Sequence, residues 1–294
     1  MPMKVWGIAA ALIYTAAAVT GASAADGKIA VIAAENFYGD VAQQIGGDFV
    51  AVTSVLSNPD QDPHLFETSP SVIREIAGAQ IVVYNGANYD PWLEKLLAAT
   101  PKSGRLVITA AELMHKSAGD NPHLWYEPAT MPKIAAALAA DFSKADAAHA
   151  DIYAARLRTF LASLEPINRK IAAIRAKFGG VPVTATEPVF DYMAAALDLK
   201  MRNQRFQLAV MNQAEPSASD LAAFEHDLVG HAVRLMFYNK QASGAIVQRL
   251  VELARAAKVP IVAVTETCPP GLSYQNWISG ELDRTAAALA GPSS

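Results

Sequence analysis

Short apolar runs alternate with amphipathic segments along the first third of the chain. The apolar runs contain little polar alternation, which is typical of strands in parallel sheets that are covered on both faces. These runs occupy residues 28–34, 50–56, 80–84 and 106–109. The segments predicted as helices between them are residues 36–45, 69–77 and 89–99. This β/α alternation predicts a parallel sheet with helices on both sides.

The pattern changes after Pro128 to long alanine-rich helical stretches. The first covers residues 131–145, and the second runs from about residue 148 to Phe178 with apolar side chains at steps of three and four. A helix over residues 151–178 spans about 42 Å at 1.5 Å per residue, enough to run the length of a lobe. Pro166 predicts a kink in this helix, and Gly179-Gly180 predicts its end.

Alternation resumes after Gly180. Strands are predicted at residues 181–184, 234–238 and 261–264, and helices at residues 189–197, 219–230, 244–257 and 274–289. The fold class is therefore α/β, with two lobes of mainly parallel sheet flanked by helices and bridged by one long helix. The predicted organisation is a signal peptide at residues 1–24, an N-terminal lobe at 25–147, a linking helix at 148–180 and a C-terminal lobe at 181–294.

The N-terminus predicts export. Lys4 precedes a mostly apolar run from Val5 to Val19, and Ala22-Ser23-Ala24 follows it. The apolar run is shorter than the ~20 residues of a membrane span, and the small residues match a cleavage site after Ala24. We interpret the segment as a secretory signal that delivers the chain to the periplasm, with a retained anchor as the alternative.

Charge and cysteine content exclude several function classes. The net charge of −4 provides no basic surface for nucleic acid. Cys268 is the only cysteine, so an intrachain disulfide and a multi-cysteine zinc site are both excluded. The segment around Cys268 contains no C-x-x-C and no obvious activating base, which favours a buried, inert thiol. Any metal must therefore be bound by nitrogen and oxygen.

Two segments of similar sequence each present a histidine. Asp62-Pro63-His64-Leu65-Phe66 and Asn121-Pro122-His123-Leu124-Trp125 both place the imidazole directly after a proline. Proline fixes its own φ and restricts the residue before it, so each histidine is expected on a stiff turn. Two rigidly held imidazoles indicate a transition-metal site at His64 and His123.

Two carboxylates follow strands of the predicted C-terminal lobe. Glu187 comes just after residues 181–184, and Glu266 just after residues 261–264. Ligands of open α/β sheets bind outside the carboxyl ends of the strands, so each lobe would contribute two metal ligands. The alternative for Glu187 is a carboxylate that stabilises a helix N-terminus, and for Glu266 a solvated loop residue.

These features together resemble a known family, the metal-binding solute receptors of ABC importers in the zinc and manganese class. The matching segments are Glu35-Asn36-Phe37-Tyr38-Gly39-Asp40 with Gly46-Gly47, Asp62-Pro63-His64 with Glu67, Asn121-Pro122-His123-Leu124-Trp125, and the long helix. The resemblance implies two lobes bridged by a rigid helix with limited hinge motion. It also implies one divalent cation in the cleft, Zn²⁺ or Mn²⁺ as the transported ligand, and delivery to a membrane permease. A monomer is expected.

The resemblance also implies which residues of this chain would bind the metal. In the family, the third ligand position is commonly histidine or glutamate, and Glu187 matches it; the last carboxylate is usually aspartate, and Glu266 is the nearest match. The loop of residues 112–121, which is long and His-rich in zinc-selective relatives, is short here and contains only His115. Carboxylate suits manganese and imidazole suits zinc, so the sequence leaves the metal open.

Two other functions use the same residues. A secreted metal-dependent hydrolase would need an open coordination position for water, yet the chain has no G-x-S-x-G, H-E-x-x-H or Gly-rich phosphate loop. A metal-binding adhesin would be favoured by exposed repeats or low-complexity segments, and the sequence has none. The receptor is therefore the preferred interpretation.

The histidine pair predicts a pH-dependent affinity. Only neutral imidazoles bind a metal, so His64 and His123 must lose their protons before the cation can be coordinated. We expect the affinity for Zn²⁺ or Mn²⁺ to fall between about pH 7.5 and about pH 5.5, as groups with an ordinary pKa near 6.5 take up protons. Titration with metal at both pH values measures this, and an unchanged affinity would contradict the role of the pair.

Overall fold

The computed structural model describes residues 27–58, 66–241 and 244–291. The predicted signal peptide and His64 lie outside the described residues. Within the described part of the chain, none of the helices is both long enough and apolar enough to cross a membrane.

The N-terminal lobe is built on a four-stranded sheet in the order β2-β1-β3-β4, with every pairing parallel. Its strands are β1 (Ile29–Glu35), β2 (Val50–Leu56), β3 (Ile81–Tyr84) and β4 (Leu106–Thr109). Its helices are α1 (Asn36–Gly46), α2 (Pro70–Gly78), α3 (Pro91–Ala99), α4 (Ala110–Leu113) and α5 (Thr130–Ala145). The strand predictions are confirmed, and Ser69 caps α2 by accepting from the backbone N–H of Val72.

The linking helix is present, with one interruption. It consists of α6 (Ala150–Ser163) and α7 (Glu165–Phe178), separated at Leu164. Leu164 keeps a helical backbone at φ −84° and ψ −15°, and its carbonyl accepts from the N–H groups of both Ile167 and Asn168. Pro166 has no N–H to donate to the preceding turn, which is the physical cause of the break that the sequence predicts.

The C-terminal lobe also contains a four-stranded parallel sheet, with the strand order β6-β5-β7-β8. Its strands are β5 (Pro182–Ala185), β6 (Lys200–Met201), β7 (Met236–Asn239) and β8 (Ile261–Val264). Its helices are α8 (Asp191–Ala196), α9 (Gln204–Met211), α10 (Ala218–Val229), α11 (Ala245–Ala256) and α12 (Tyr274–Ala290). The predicted fold class is confirmed: α/β, two lobes of parallel sheet, and a long bridging helix.

Strand β6 and helix α9 were not predicted from the sequence. The strand has only two residues, too few for any periodicity. Asn203 precedes α9 in the left-handed region at φ 59°, and the helix itself is only eight residues long. Elements this short depend on tertiary packing, because local preference is weak over so few residues.

One continuous hydrophobic core crosses from lobe to lobe. Tyr126 lies at its centre, with its ring 5.0 Å from that of Phe190 and 5.5 Å from that of Trp277. Trp125 packs on Phe37 at 4.9 Å. Trp125, Tyr126 and Trp277 are fully buried, so they are core residues rather than exposed walls of a cleft.

Hydrogen bonds also join the lobes. The Tyr126 hydroxyl donates to the Thr265 carbonyl at 2.9 Å, and the Tyr274 hydroxyl donates to the Trp125 carbonyl at 2.9 Å. The Asn36 side chain donates to the Cys268 carbonyl and accepts from the Cys268 N–H, at 2.7 and 2.9 Å. The lobes are thereby connected by buried contacts in addition to the linking helix.

Gly46 allows the end of α1 to lie against the start of β2. A β-carbon at Gly46 would lie 2.3 and 2.4 Å from the two methyl carbons of Val50. Since Val50 is β-branched and buried, it cannot rotate away. We expect Gly46→Ala to lower the free energy of unfolding by about 1–3 kcal/mol, as overpacking does.

Chemical denaturation measures this effect. Gly78→Ala is the matched control, because Gly78 ends α2 and a β-carbon added there would meet nothing within 4 Å. Unchanged stability of the Gly46 variant would show that α1 and β2 can separate without loss.

Candidate metal centre

Three of the four predicted ligands lie near the carboxyl ends of the C-terminal strands: His123 approaches Glu266, and the Asn239 amide connects Glu266 to Glu187. Glu187 follows β5 and Glu266 follows β8, while His123 approaches from the N-terminal lobe on the loop between α4 and α5. All three side chains are buried. The structure therefore brings together residues from both lobes, as the positions after the strands predict.

His123 and Glu266 lie opposite each other across the lobe boundary. The Nε2 atom of His123 is 3.5 Å from Oε2 of Glu266, and the two side chains are 1% and 2% exposed. Two ligand atoms held about 2.1 Å from a tetrahedral ion lie about 3.4 Å apart. The observed separation thus suits two ligands on one small cation.

Asn121 fixes the orientation of the His123 ring. Its Nδ2 donates to the Pro188 carbonyl at 2.7 Å, so its Oδ1 must face the histidine. Oδ1 lies 2.6 Å from His123 Nδ1 and also accepts from the His123 N–H at 3.0 Å. Nδ1 is consequently a protonated nitrogen, and in the neutral form of the ring the lone pair is on Nε2, the nitrogen that faces Glu266.

Asn239 connects the two carboxylates. Its Nδ2 donates to Oε2 of Glu187 and to Oε1 of Glu266, the latter at 2.7 Å. Buried carboxylates need such donors, because an ionised group without hydrogen bonds is costly in a low-dielectric interior. Gln241 extends the network by accepting from the Glu266 N–H at 2.6 Å.

Tyr89 donates a further hydrogen bond in this network. Its hydroxyl is 3.0 Å from Oε2 of Glu266. Burial, and then the negative charge of Glu266, raises the pKa of Tyr89 well above its ordinary value, so the hydroxyl keeps its proton. Tyr89 therefore acts only as a donor to the carboxylate at neutral pH.

A buried acidic pair lies behind Tyr89. Asp90 accepts from the N–H groups of Asn85 and Gly86 at 2.7 and 2.8 Å, which shapes the loop that carries Tyr89. Burial raises the pKa of Asp90 to about 6. Burial, followed by the charge of Asp90, also raises the pKa of Glu35 well above its ordinary value. Two adjacent buried carboxyls favour a shared proton over two charges.

A cavity of about 800 Å³ lies beside the site, between the lobes. Tyr89, Trp92 and Pro122 line its N-terminal side, and Leu208 and Met211 of α9 line the other. Tyr89 and Pro122 belong to both the cavity wall and the surroundings of His123. The cavity therefore adjoins the residues that surround His123.

The described residues do not complete a metal site by themselves. Within residues 27–58, 66–241 and 244–291, no group of three or more His, Cys, Asp and Glu side chains is arranged to hold a metal ion. The Asn239 amide lies between Glu187 and Glu266, and His64 is outside the described residues. The set of His64, His123, Glu187 and Glu266 stays a prediction.

Other sequence-predicted roles are resolved. His115, His226 and His231 are exposed side chains. Glu67 is exposed as well. Cys268 is buried, as predicted, and burial raises the pKa of its thiol to about 12, which disfavours the reactive thiolate.

Sequence reasoning missed three residues that position the site: Tyr89, Asn121 and Asn239. The position of Asn121 in the repeated Pro-His motif could have identified it. Asn239 gives no signal in the sequence, because its importance arises from the strand order β5-β7-β8, which places β7 between the two strands that precede the carboxylates.

The fold and the site define a two-lobe protein with a buried N/O ligand cluster at the lobe boundary. The family described as zinc-uptake complex component A, periplasmic, matches residues 31–288, and the chain belongs to this family. The resemblance drawn from the two Pro-His segments is thereby confirmed. The manganese-binding lipoprotein MntA of Bacillus subtilis is 24% identical over 266 residues, which cover 85% of this chain and 85% of that protein.

Solved structures share the fold. The periplasmic zinc-binding protein TroA from Treponema pallidum superimposes with a TM-score of 0.76 at 17% identity, covering 90% of this chain and 99% of that one. The manganese-bound periplasmic metal-binding protein from Candidatus Liberibacter asiaticus gives 0.72 at 17% identity, covering 89% and 100%. Both share the two-lobe architecture described above.

The contact with Asn121 predicts a fixed tautomer of His123. We expect nitrogen-15 NMR of the metal-free protein at neutral pH to show the Nδ1-protonated form, because Nδ1 faces an acceptor. In Asn121→Ala that preference is lost. Tyr192→Phe is the control, since it removes a different hydrogen bond, from the Tyr192 hydroxyl to the Asn121 carbonyl at 2.8 Å. An Nε2-protonated ring in the wild type would refute the assignment.

Proposed function

We propose that this protein is the periplasmic substrate-binding component of an ABC importer, which binds a divalent transition-metal ion, zinc or manganese, between its lobes. The observation that carries the proposal is the approach of His123 Nε2 to Glu266 Oε2 at 3.5 Å, in a buried site shared by both lobes. His64, His123, Glu187 and Glu266 are the proposed ligands.

The charge of the proposed ligand set fits a divalent cation. Two neutral imidazoles and two ionised carboxylates bring a charge of −2, which balances M²⁺. Burial strengthens the attraction, since the effective dielectric inside a protein is far below that of water. Membership of the zinc-uptake family and the similarity to a manganese-binding lipoprotein support the choice of zinc or manganese.

Delivery to a membrane permease is the second part of the proposal. A receptor must release its ion, and the hydrogen bonds between Tyr126 and Thr265 and between Tyr274 and Trp125 oppose wide separation of the lobes. We therefore propose that release proceeds by local movement near Glu187 and Glu266. The protein acts as a monomer that binds its ion without catalysis and does not bind nucleic acid.

Elemental analysis of the mature protein, exported natively to the periplasm, tests the proposal. We expect near-stoichiometric zinc or manganese in the wild type and its loss in a His64→Ala, His123→Ala double variant, because a pair of carboxylates alone binds such ions weakly. The matched control is His226→Ala with His231→Ala, two exposed histidines of the C-terminal lobe.

The outcomes separate the alternatives. Metal in the wild type and in the control, but not in the site variant, supports the receptor. Absence of metal, or metal that persists in the site variant, contradicts it. Metal-dependent turnover of a generic ester would favour the hydrolase instead.

A further inference from the structure

A cluster of buried polar side chains lies behind Tyr89, at the carboxyl edge of the N-terminal sheet. Glu35 is the last residue of β1, Asn85 follows β3 directly, and Asp90 precedes α3. Because β1 and β3 are neighbouring parallel strands, their carboxyl ends meet at the same edge. All three side chains are 0% exposed. Their charges must therefore be satisfied within the protein, since they are out of contact with bulk water.

Asp90 is well supplied with hydrogen-bond donors. Its Oδ2 accepts from the Asn85 N–H at 2.7 Å, and its Oδ1 accepts from the Gly86 N–H at 2.8 Å. Each oxygen thus has a backbone donor of its own. Such donors favour the ionised form of a carboxyl group.

Glu35 has the opposite surroundings. Both of its carboxyl oxygens are buried, and outside the pair with Asp90 no other described residue donates a hydrogen bond to them. The carboxyl groups of Glu35 and Asp90 are hydrogen-bonded to each other. One of them must carry the proton of that bond, because two ionised carboxylates can only accept. The backbone donors on Asp90 leave Glu35 as the protonated partner, in agreement with its raised pKa.

The turn that Asp90 closes has an unfavourable backbone. Gly86, Ala87 and Asn88 follow one another in the left-handed region, at φ 73°, 51° and 64°. This region is costly for Ala87 in particular, because of its β-carbon. Such a conformation persists only where surrounding contacts fix it. The two hydrogen bonds to Asp90 provide those contacts, together with the bond from the Tyr89 N–H to the Gly86 carbonyl at 3.0 Å.

The same turn reaches residues of both lobes at the candidate metal centre. Tyr89 leaves it to donate to Oε2 of Glu266 at 3.0 Å. The Nδ2 of Asn85 donates to the Pro122 carbonyl at 2.8 Å, directly before His123. The conformation of the turn therefore affects the surroundings of both His123 and Glu266.

We infer that Glu35 is a protonated carboxylic acid at neutral pH, whose O–H donates to Asp90. This bond holds the turn of residues 85–90 in the conformation that positions Tyr89 and His123. Glu35 is thus a positioning residue that acts through Asp90 and lies outside the proposed ligand set. The effect on metal binding rests on the proposed function, whereas the protonation of Glu35 does not.

Infrared spectroscopy of the purified mature chain tests the protonation. A protonated carboxyl group absorbs at a higher frequency than the amide carbonyls and the ionised carboxylates. We expect this band in the wild type at neutral pH and its loss in Glu35→Gln, because the substitution removes the carboxylic acid. Absence of the band from the wild type, or its persistence in Glu35→Gln, would overturn the inference.

Amide substitutions test the positioning role and determine which carboxyl group carries the proton. The Kd for Zn²⁺ is measured in competition with a chelating dye. Glu35→Gln replaces the O–H with an N–H donor, so we expect it to keep the wild-type Kd. Asp90→Asn leaves one acceptor oxygen for two backbone N–H groups, so we expect the Kd to rise about tenfold or more, as for residues that orient metal ligands. Glu35→Ala removes the donor and should raise the Kd as well, which preserves the comparison should Asp90→Asn not fold.

Asp227→Asn is the matched control. Asp227 is 4% exposed in α10 of the C-terminal lobe, and it accepts from Arg202 and Asn203 rather than from the turn. Its substitution removes a buried negative charge and leaves the turn unaltered, so the Kd for Zn²⁺ should remain that of the wild type. An equal rise in this control would assign the effect of Asp90→Asn to a general loss of stability and contradict the positioning role.

The remaining outcomes separate the inference from the proposed function. A raised Kd in Glu35→Gln contradicts the inference, because a neutral donor should suffice. An unchanged Kd in Asp90→Asn and in Glu35→Ala contradicts the positioning role, while the proposed function stands. If the wild type binds neither Zn²⁺ nor Mn²⁺, the proposed function and the positioning role both fail, and the infrared band decides the protonation of Glu35 separately.

Discussion

The packing of the two lobes on each other is the constraint on which the rest of this structure depends. Tyr126 shows it best: its ring packs between Phe190 and Trp277, and its hydroxyl donates to the Thr265 carbonyl, next to Glu266. The same short 3₁₀ turn follows His123 directly. The contact that joins the lobes therefore also sets the distance between His123 and Glu266. His123 and Glu266 of the proposed site are therefore already close together without a large closing motion.

The strand order explains the polar part of the site. Glu187 and Glu266 follow strands separated by β7, and this places a third residue, Asn239, between them. Two buried carboxylates this close would repel each other in water-poor surroundings. Asn239 supplies donors to both, and Tyr89 adds another to Glu266. Both carboxylates are thus supplied with hydrogen-bond donors, and in the proposed function their negative charge attracts the cation.

Much of the fold follows from local patterns. The apolar runs predict β1 to β5, β7 and β8, and Pro166 predicts the break at Leu164. The elements that were missed, β6 and α9, are short and depend on neighbours distant in sequence. Within the site, Pro-His motifs and positions after strands indicate His123, Glu187 and Glu266. Side chains that orient these residues give weaker signals, because Asn and Tyr are common in loops and turns.

The sequence by itself determined the class of fold through its periodicity, and it indicated the family through the resemblance of its motif segments. Rigid Pro-His turns and a single cysteine favoured nitrogen and oxygen as the proposed ligand atoms. Only the tertiary structure decided which atoms face each other. Asn121 determines which nitrogen of His123 points at Glu266, and the order of strands determines that Asn239 meets both carboxylates. The reason is physical: hydrogen-bond direction depends on distances of a few tenths of an ångström, and those distances arise from packing between segments far apart in the chain.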